Sequence, residues 1–204
     1  MKKSLIAVLS LCSTLGVLGQ GAVQFSNTAI PSGRIQLSDG YSTGPVPTTP
    51  GLINYGLFYG IGESTSLTFL SSQLGVNSTS VSGFIASPVD GVSPLYDVSI
   101  PGTSILESDV WIQVKGWSAS FGTDWHSAEW ASLSMPGDYY GQSETINVFP
   151  LGNPEILGTQ IWQVAAGTNP NHIHPFTLYT VPEPSVYALA GLAGSLLLRK
   201  RAKG

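Results

Sequence analysis

The chain has almost no cysteine, and so little capacity for thiol or disulfide chemistry. Among its 204 residues there is one cysteine, Cys12, in the apolar run Ser4–Leu18 that follows the positively charged start Met1-Lys2-Lys3. A charged start, a short apolar run and small residues after it predict a secretory signal peptide over residues 1–21. Because Cys12 lies within that peptide, we expect a mature protein without thiol or disulfide, which excludes a cysteine nucleophile.

Positive charge is scarce as well. Of the eight lysines and arginines, two lie in the signal peptide and four in the last six residues of the chain, so Arg34 and Lys115 are the basic residues of the remaining body. Eleven of the twelve acidic residues lie in that body, which therefore has a net charge of about −9. Binding to nucleic acid requires lysine and arginine to neutralise phosphates, so a nucleic-acid partner is excluded.

Long helical periodicity and internal repeats are missing from the body, residues 22–178, which is long enough for one core-forming domain. Short alternating runs separated by Gly, Pro, Asn and Asp clusters predict an all-β fold, an antiparallel β-sandwich or jelly-roll-like body. The one helix candidate in the body is Thr123–Leu133, and further helices are predicted in the signal peptide and near the C-terminus. The predicted strands are Val23–Ser26, Ile35–Ser38, Leu52–Tyr59, Ser66–Leu70, Val81–Ala86, Val110–Trp117, Ile146–Val148, Thr159–Val164 and Phe176–Tyr179.

The strand Val110–Trp117 has the clearest two-sided pattern. Val110, Ile112 and Val114 alternate with more polar positions, so one face of this strand is predicted to be buried. The other face would present Trp111 and Trp117 beside Gln113 and Lys115. Exposed aromatic side chains stack on sugars, which makes the two tryptophans candidate glycan contacts and a carbohydrate-binding module an alternative function. The competing interpretation is that both rings fill a core.

His172 and His174 form an H-x-H pair, a spacing that zinc and copper sites use. A closed zinc site needs about four ligands and an open one about three from the protein, and the sequence identifies no third ligand. Pro170 and Pro175 flank the pair, which favours an exposed connection. We therefore predict no metal and no other cofactor, with the two histidines as weak metal-ligand candidates.

Carboxylates close in sequence raise a further alternative, a secreted glycan-active enzyme. Glu107 with Asp109, and Asp124 with Glu129, are candidate pairs, because glycosidases use two carboxyl groups about 5–10 Å apart. An acidic protein shows such pairs by chance, and a solvated turn before the strand is the better explanation of Glu107 and Asp109. The chain has no G-x-S-x-G motif and, after export, no thiol. We predict that the protein is not an enzyme.

The C-terminal residues 179–204 combine three features in order. In V-P-E-P-S, Pro182 and Pro184 bias the residues before them toward extended backbone, so the motif forms a short stiff rod. The uncharged run 186–198 would form a helix of about 20 Å, short for a hydrocarbon core of roughly 30 Å. Arg199, Lys200 and Arg201 follow, and basic residues hold such an end on the cytoplasmic side. The larger apolar residues of the run, which would anchor the helix in the membrane, are Val186, Leu189, Leu192, Leu196, Leu197 and Leu198.

Together these features resemble the PEP-CTERM sorting signal of bacterial envelope proteins. The resemblance implies that Pro182, Glu183 and Pro184 are recognised by an exosortase, a membrane-embedded enzyme similar to cysteine transpeptidases, which processes the chain near this motif. It also implies an exported precursor held transiently in the inner membrane and then placed on the cell surface or in the exopolysaccharide matrix, with extracellular polysaccharide as a candidate partner. A plain C-terminal membrane anchor is the alternative.

Overall fold

The structure is a computed structural model, and it describes most of the body. The described residues are 20–27, 34–62, 64–93, 97–105, 109–125, 138–148, 151–152, 158–162 and 172–180. The predicted signal peptide and C-terminal segment lie outside this set apart from their inner ends, 20–21 and 179–180. The predicted helix Thr123–Leu133 is described only as far as Trp125. These three predictions therefore lie largely outside the described residues.

In the described residues the chain is all-β, as predicted. It forms twelve strands and one short 3-10 turn, Ala119–Phe121. In chain order the strands are β1 Ala22–Gln24, β2 Gln36–Ser38, β3 Thr43–Pro45, β4 Ile53–Ile61, β5 Thr68–Asn77, β6 Ile85–Ala86, β7 Asp97–Ser99, β8 Val110–Ser118, β9 Tyr139–Gln142, β10 Ile146–Val148, β11 Thr159–Gln160 and β12 Thr177–Thr180.

The strands form two sheets. The larger sheet has nine strands in the order β3-β2-β12-β9-β8-β4-β5-β6, and β10 shares with β9 the edge of β8 that faces away from β4. Its pairs are antiparallel except β12 with β2. The smaller sheet has the order β11-β1-β7, with β1 and β11 parallel. The last described strand, β12, thus lies inside the large sheet.

The pair β4 and β8 is the centre of the large sheet. It runs without interruption from Ile53 opposite Ser118 to Ile61 opposite Val110. The inner face of β8 carries Val110, Ile112 and Val114, which are fully buried as the alternation predicts. The main hydrophobic cluster contains these three residues and members of the smaller sheet, so burial of apolar surface, the dominant favourable term in folding, involves both sheets.

Several strands differ from the prediction. Strand β5 continues to Asn77, beyond the predicted end at Leu70, because the polar run Ser71-Ser72-Gln73 after Leu70 has no apolar alternation to indicate a strand. Strand β3 occupies part of a predicted turn; it is the edge strand of the large sheet, where Pro45 can be tolerated. The predicted strand Val81–Ala86 is reduced to β6, because Gly83 has φ +80° and turns the chain before Ile85. Strands β7 and β9 were not predicted.

Asn77, at the end of β5, holds the loop between β3 and β4 against the sheet. Its Oδ1 accepts hydrogen bonds from the backbone N–H groups of Leu52, at 3.1 Å, and Ile53, at 3.0 Å. Its Nδ2 donates to the carbonyls of Pro47, at 3.2 Å, and Thr49, at 2.7 Å. The side chain is buried, so a polar group that would be costly alone is fully paired and fixes the connection before β4.

Candidate functional site

The outer face of β8 carries the two tryptophans singled out above. Trp111 and Trp117 do share that face with Gln113 and Lys115, since they alternate with the buried valines and isoleucine. The prediction that Trp117 is exposed is wrong: its side chain has 0% exposure. Its indole Nε1 donates to the carbonyl of Gly122 at 2.9 Å, so Trp117 is not available to a glycan at the surface.

Trp117 lies within a group of aromatic side chains on this face. We call this group the aromatic cluster; its neighbouring ring centroids lie 5.0 to 6.0 Å apart in stacked and edge-to-face arrangements, and its members are Phe58, Phe69, Trp117, Trp125 and Tyr140. Such contacts stabilise beyond the area that they bury. The residues come from β4, β5, β8, β9 and the segment after β8, so the cover over Trp117 is built from parts distant in sequence.

Two further residues belong to this packing. Gly56 on β4 leaves room for it: a Cβ there would lie 2.7 Å from the Phe69 ring and 3.0 Å from the Trp117 ring. Lys115 extends over the cluster, with Nζ 4.4 Å from the ring centroid of Trp125 and 4.6 Å from that of Phe58. Both distances allow cation–π attraction. This part of the face is therefore a packed structural cluster.

Trp111 differs from Trp117. It is half-buried, and its Nε1 has no hydrogen-bond partner among the described residues. Asn147 on β10 lies opposite it in register, and the Asn147 amide donates to Asp109 Oδ1 at 2.8 Å. Asp109 has φ +66°, the one left-handed backbone among the described non-glycine residues. An aromatic ring, an amide and a carboxylate thus lie together at the start of β8.

The two candidate carboxylate pairs, Glu107 with Asp109 and Asp124 with Glu129, stay predictions, because one member of each lies outside the described residues. Glu107 and Glu129 are outside the described residues.

His172 and His174 lie just before β12, around a residue held in the core. Ile173 is fully buried, pairs with Trp162 in a parallel bridge and donates its N–H to the Ile161 carbonyl at 2.6 Å. That both imidazoles lie on one side of the segment stays a prediction. Both histidines are half-buried, whereas the flanking prolines favoured an exposed connection.

Glu144 is the residue that the sequence did not connect with this pair. Its Oε1 accepts from the backbone N–H of His174 at 2.6 Å and lies 2.7 Å from His174 Nδ1. The segment between β9 and β10 that carries it is fixed by Ser143, whose Oγ accepts from the Val114 N–H at 3.0 Å and whose N–H donates to the Val114 carbonyl at 2.8 Å. Strand β8 thus positions Glu144 against His174.

One ring nitrogen of each histidine is buried without a hydrogen bond among the described residues. His172 Nδ1 and His174 Nε2 are buried and have no hydrogen-bond partner among the described residues. Burial, with a smaller contribution from the neighbouring His174, lowers the pKa of His172, so this ring is neutral at pH 7. No three His, Cys, Asp or Glu side chains within the described ranges converge as a ready metal site.

The predicted sorting residues all lie outside the described residues, so their roles stay predictions. This holds for the motif Pro182, Glu183 and Pro184, for the apolar run 186–198 and for Arg199, Lys200 and Arg201. Within the part of the chain that is described, there is no helix with the length and hydropathy needed to cross a membrane.

Comparison with known proteins finds no matching family model, no matching curated protein and no matching solved structure.

Proposed function

We propose that this chain is an exported bacterial envelope protein of the PEP-CTERM type, without catalytic activity of its own. The observation that carries the proposal is the order of features in 181–204: a V-P-E-P-S motif, an uncharged apolar run and a basic cluster. The predicted signal peptide at the other end supports the same route. The precursor is held in the inner membrane, processed by an exosortase-type enzyme and placed on the cell surface or in the exopolysaccharide matrix.

Each part of the signal has its own role in this proposal. Pro182, Glu183 and Pro184 present an extended recognition element to the processing enzyme. The run 186–198 holds that element at the membrane, and Arg199, Lys200 and Arg201 keep the far end of the helix on the cytoplasmic side. The acidic body, with a net charge of about −9, then remains outside the cytoplasm.

The body between these signals we propose to be an antiparallel β-sandwich or jelly-roll-like domain. Two sheets contribute side chains to one hydrophobic cluster, which supports a two-layer arrangement. The parallel pairing of β12 with β2 and of β1 with β11 is unusual in such an antiparallel fold.

Intact mass of the exported protein, made in a host that carries an exosortase, tests the proposal. We expect loss of the signal peptide and a new C-terminus near residue 182 in the wild type. A Pro182→Ala/Pro184→Ala variant should retain its tail and accumulate in the membrane. The matched control is Pro88→Ala/Pro101→Ala, which changes two exposed loop prolines of the body. Normal processing of the tail variant would contradict the proposal and favour a plain anchor.

Carbohydrate binding is the second candidate function, and one observation favours it. Trp111, whose side chain is half-buried, lies beside Asn147 and Asp109, and a ring next to amide and carboxylate groups suits a sugar. Retention of the full chain on an exopolysaccharide gel should fall when Trp111 is replaced by Ala. Tyr41→Ala, which removes a fully exposed ring elsewhere, is the control. Equal retention of both variants would remove this candidate.

A further inference from the structure

The two histidines before β12 hold two of the four buried side-chain polar atoms that lack a hydrogen-bond partner in the described residues. A buried polar atom without a partner costs free energy, and such atoms in folded proteins often mark an ion or water that completes the bonding. Two of them on the side chains that flank the buried Ile173 point to one shared ligand.

The chemistry of the two atoms identifies the class of that ligand. Neutral imidazole nitrogens with a free lone pair bind zinc, copper and nickel ions. His174 is arranged as metal-binding histidines commonly are: Glu144 accepts from Nδ1, which leaves the lone pair on Nε2 and fixes the plane of the ring. The His174 side chain keeps 31% of its surface exposed, so the pair lies near the protein surface.

We propose that His172, through Nδ1, and His174, through Nε2, chelate a divalent transition-metal ion, with Glu144 as the positioning residue. Because no third ligand converges on the pair within the described residues, water completes the coordination shell. Among first-row divalent ions Cu²⁺ binds such nitrogen sites most tightly. The negative charge of the body also favours a cation. This inference is independent of the proposed sorting, because it concerns the body alone.

Titration of the purified full chain with Cu²⁺ alone tests the proposal. Binding is measured by calorimetry, and the ligands are identified by electron paramagnetic resonance. The chain has three histidines, so His126→Ala is a matched control that leaves the pair intact. We expect the wild type and H126A to bind one ion with two imidazole nitrogens in the spectrum. H172A and H174A should each lose one nitrogen signal and bind more than roughly tenfold more weakly, and E144Q roughly 10–100-fold more weakly.

Folding of the metal-free variants is checked by thermal melting, because H174A also removes the contact with Glu144. If H174A does not fold, H172A decides, since Nδ1 of His172 has no hydrogen bond to lose within the described structure. Equal Cu²⁺ affinity in the wild type and H172A would overturn the proposal. A spectrum without imidazole nitrogens would do the same and would assign the two unpaired atoms to a bound water.

Discussion

Replacement of Asn77 by Ala should be among the most destabilising single changes in the body. Its amide makes four hydrogen bonds, to Leu52, Ile53, Pro47 and Thr49, and no solvent reaches the buried side chain to replace them. At about 1 kcal/mol net for each bond, the free energy of unfolding should fall by about 3–4 kcal/mol. For a domain of 150–250 residues this lowers Tm by about 6–16 °C.

Urea denaturation and calorimetry of the full chain measure this effect. Asn147→Ala is the matched control, because Asn147 makes one exposed hydrogen bond, to Asp109, and its loss should cost about 0.5–1 kcal/mol. Asn77→Asp separates the two halves of the amide: it keeps the acceptor for the N–H groups and loses both donors. If Asn77→Ala were within 1 kcal/mol of the wild type at an unchanged urea m-value, the four bonds would not stabilise the fold as the geometry indicates.

Three further changes test other parts of the structure. Tyr55→Phe should raise the free energy of unfolding by about 1 kcal/mol, because the buried hydroxyl has no partner in the described residues, and a lower Tm would contradict this. Gly56→Ala should cost about 1–3 kcal/mol through collision with the aromatic cluster, whereas Gly44→Ala, with open space at its Cβ, should cost less in the same melts. Hydrogen bonds from Ser93 and the turn backbone lower the pKa of Asp90 below 3.8, so this turn is stabilised above that pH and loses the contribution as pH falls; NMR titration should show the pKa rising toward 3.8 in Ser93→Ala.

The fold class could be predicted because its signals are local. Alternation in Val110–Trp117 gave the buried face of β8 correctly, and the turn signal at Ser38-Asp39-Gly40 lies where β2 reverses into β3. Alternation tells which residues share a face, but it does not tell what covers that face. Trp117 was misjudged for that reason: Phe69 and Trp125, which cover it, come from β5 and from the segment after β8.

The histidine pair His172 and His174 shows the same limit, because the sequence pattern does not tell which distant residue contacts the pair. The H-x-H spacing in the sequence indicated that two imidazoles lie on one side of an extended segment. Glu144 could not be assigned to them, because it lies 30 residues from His174 and its position depends on the break between β9 and β10. Ser143 makes that break by bonding to the backbone of Val114. A pairing that depends on an irregular strand and on tertiary contact leaves no periodic signal.

The place of β12 inside the large sheet has a consequence for how the molecule assembles during synthesis. The ribosome delivers this strand after all the other described strands, yet it is inserted between β2 and β9. Until Thr180 has emerged, the β2 and β3 hairpin has no neighbouring strand among those described. A nascent chain stalled short of this point therefore exposes two open strand edges, which are sites for aggregation and for chaperone capture.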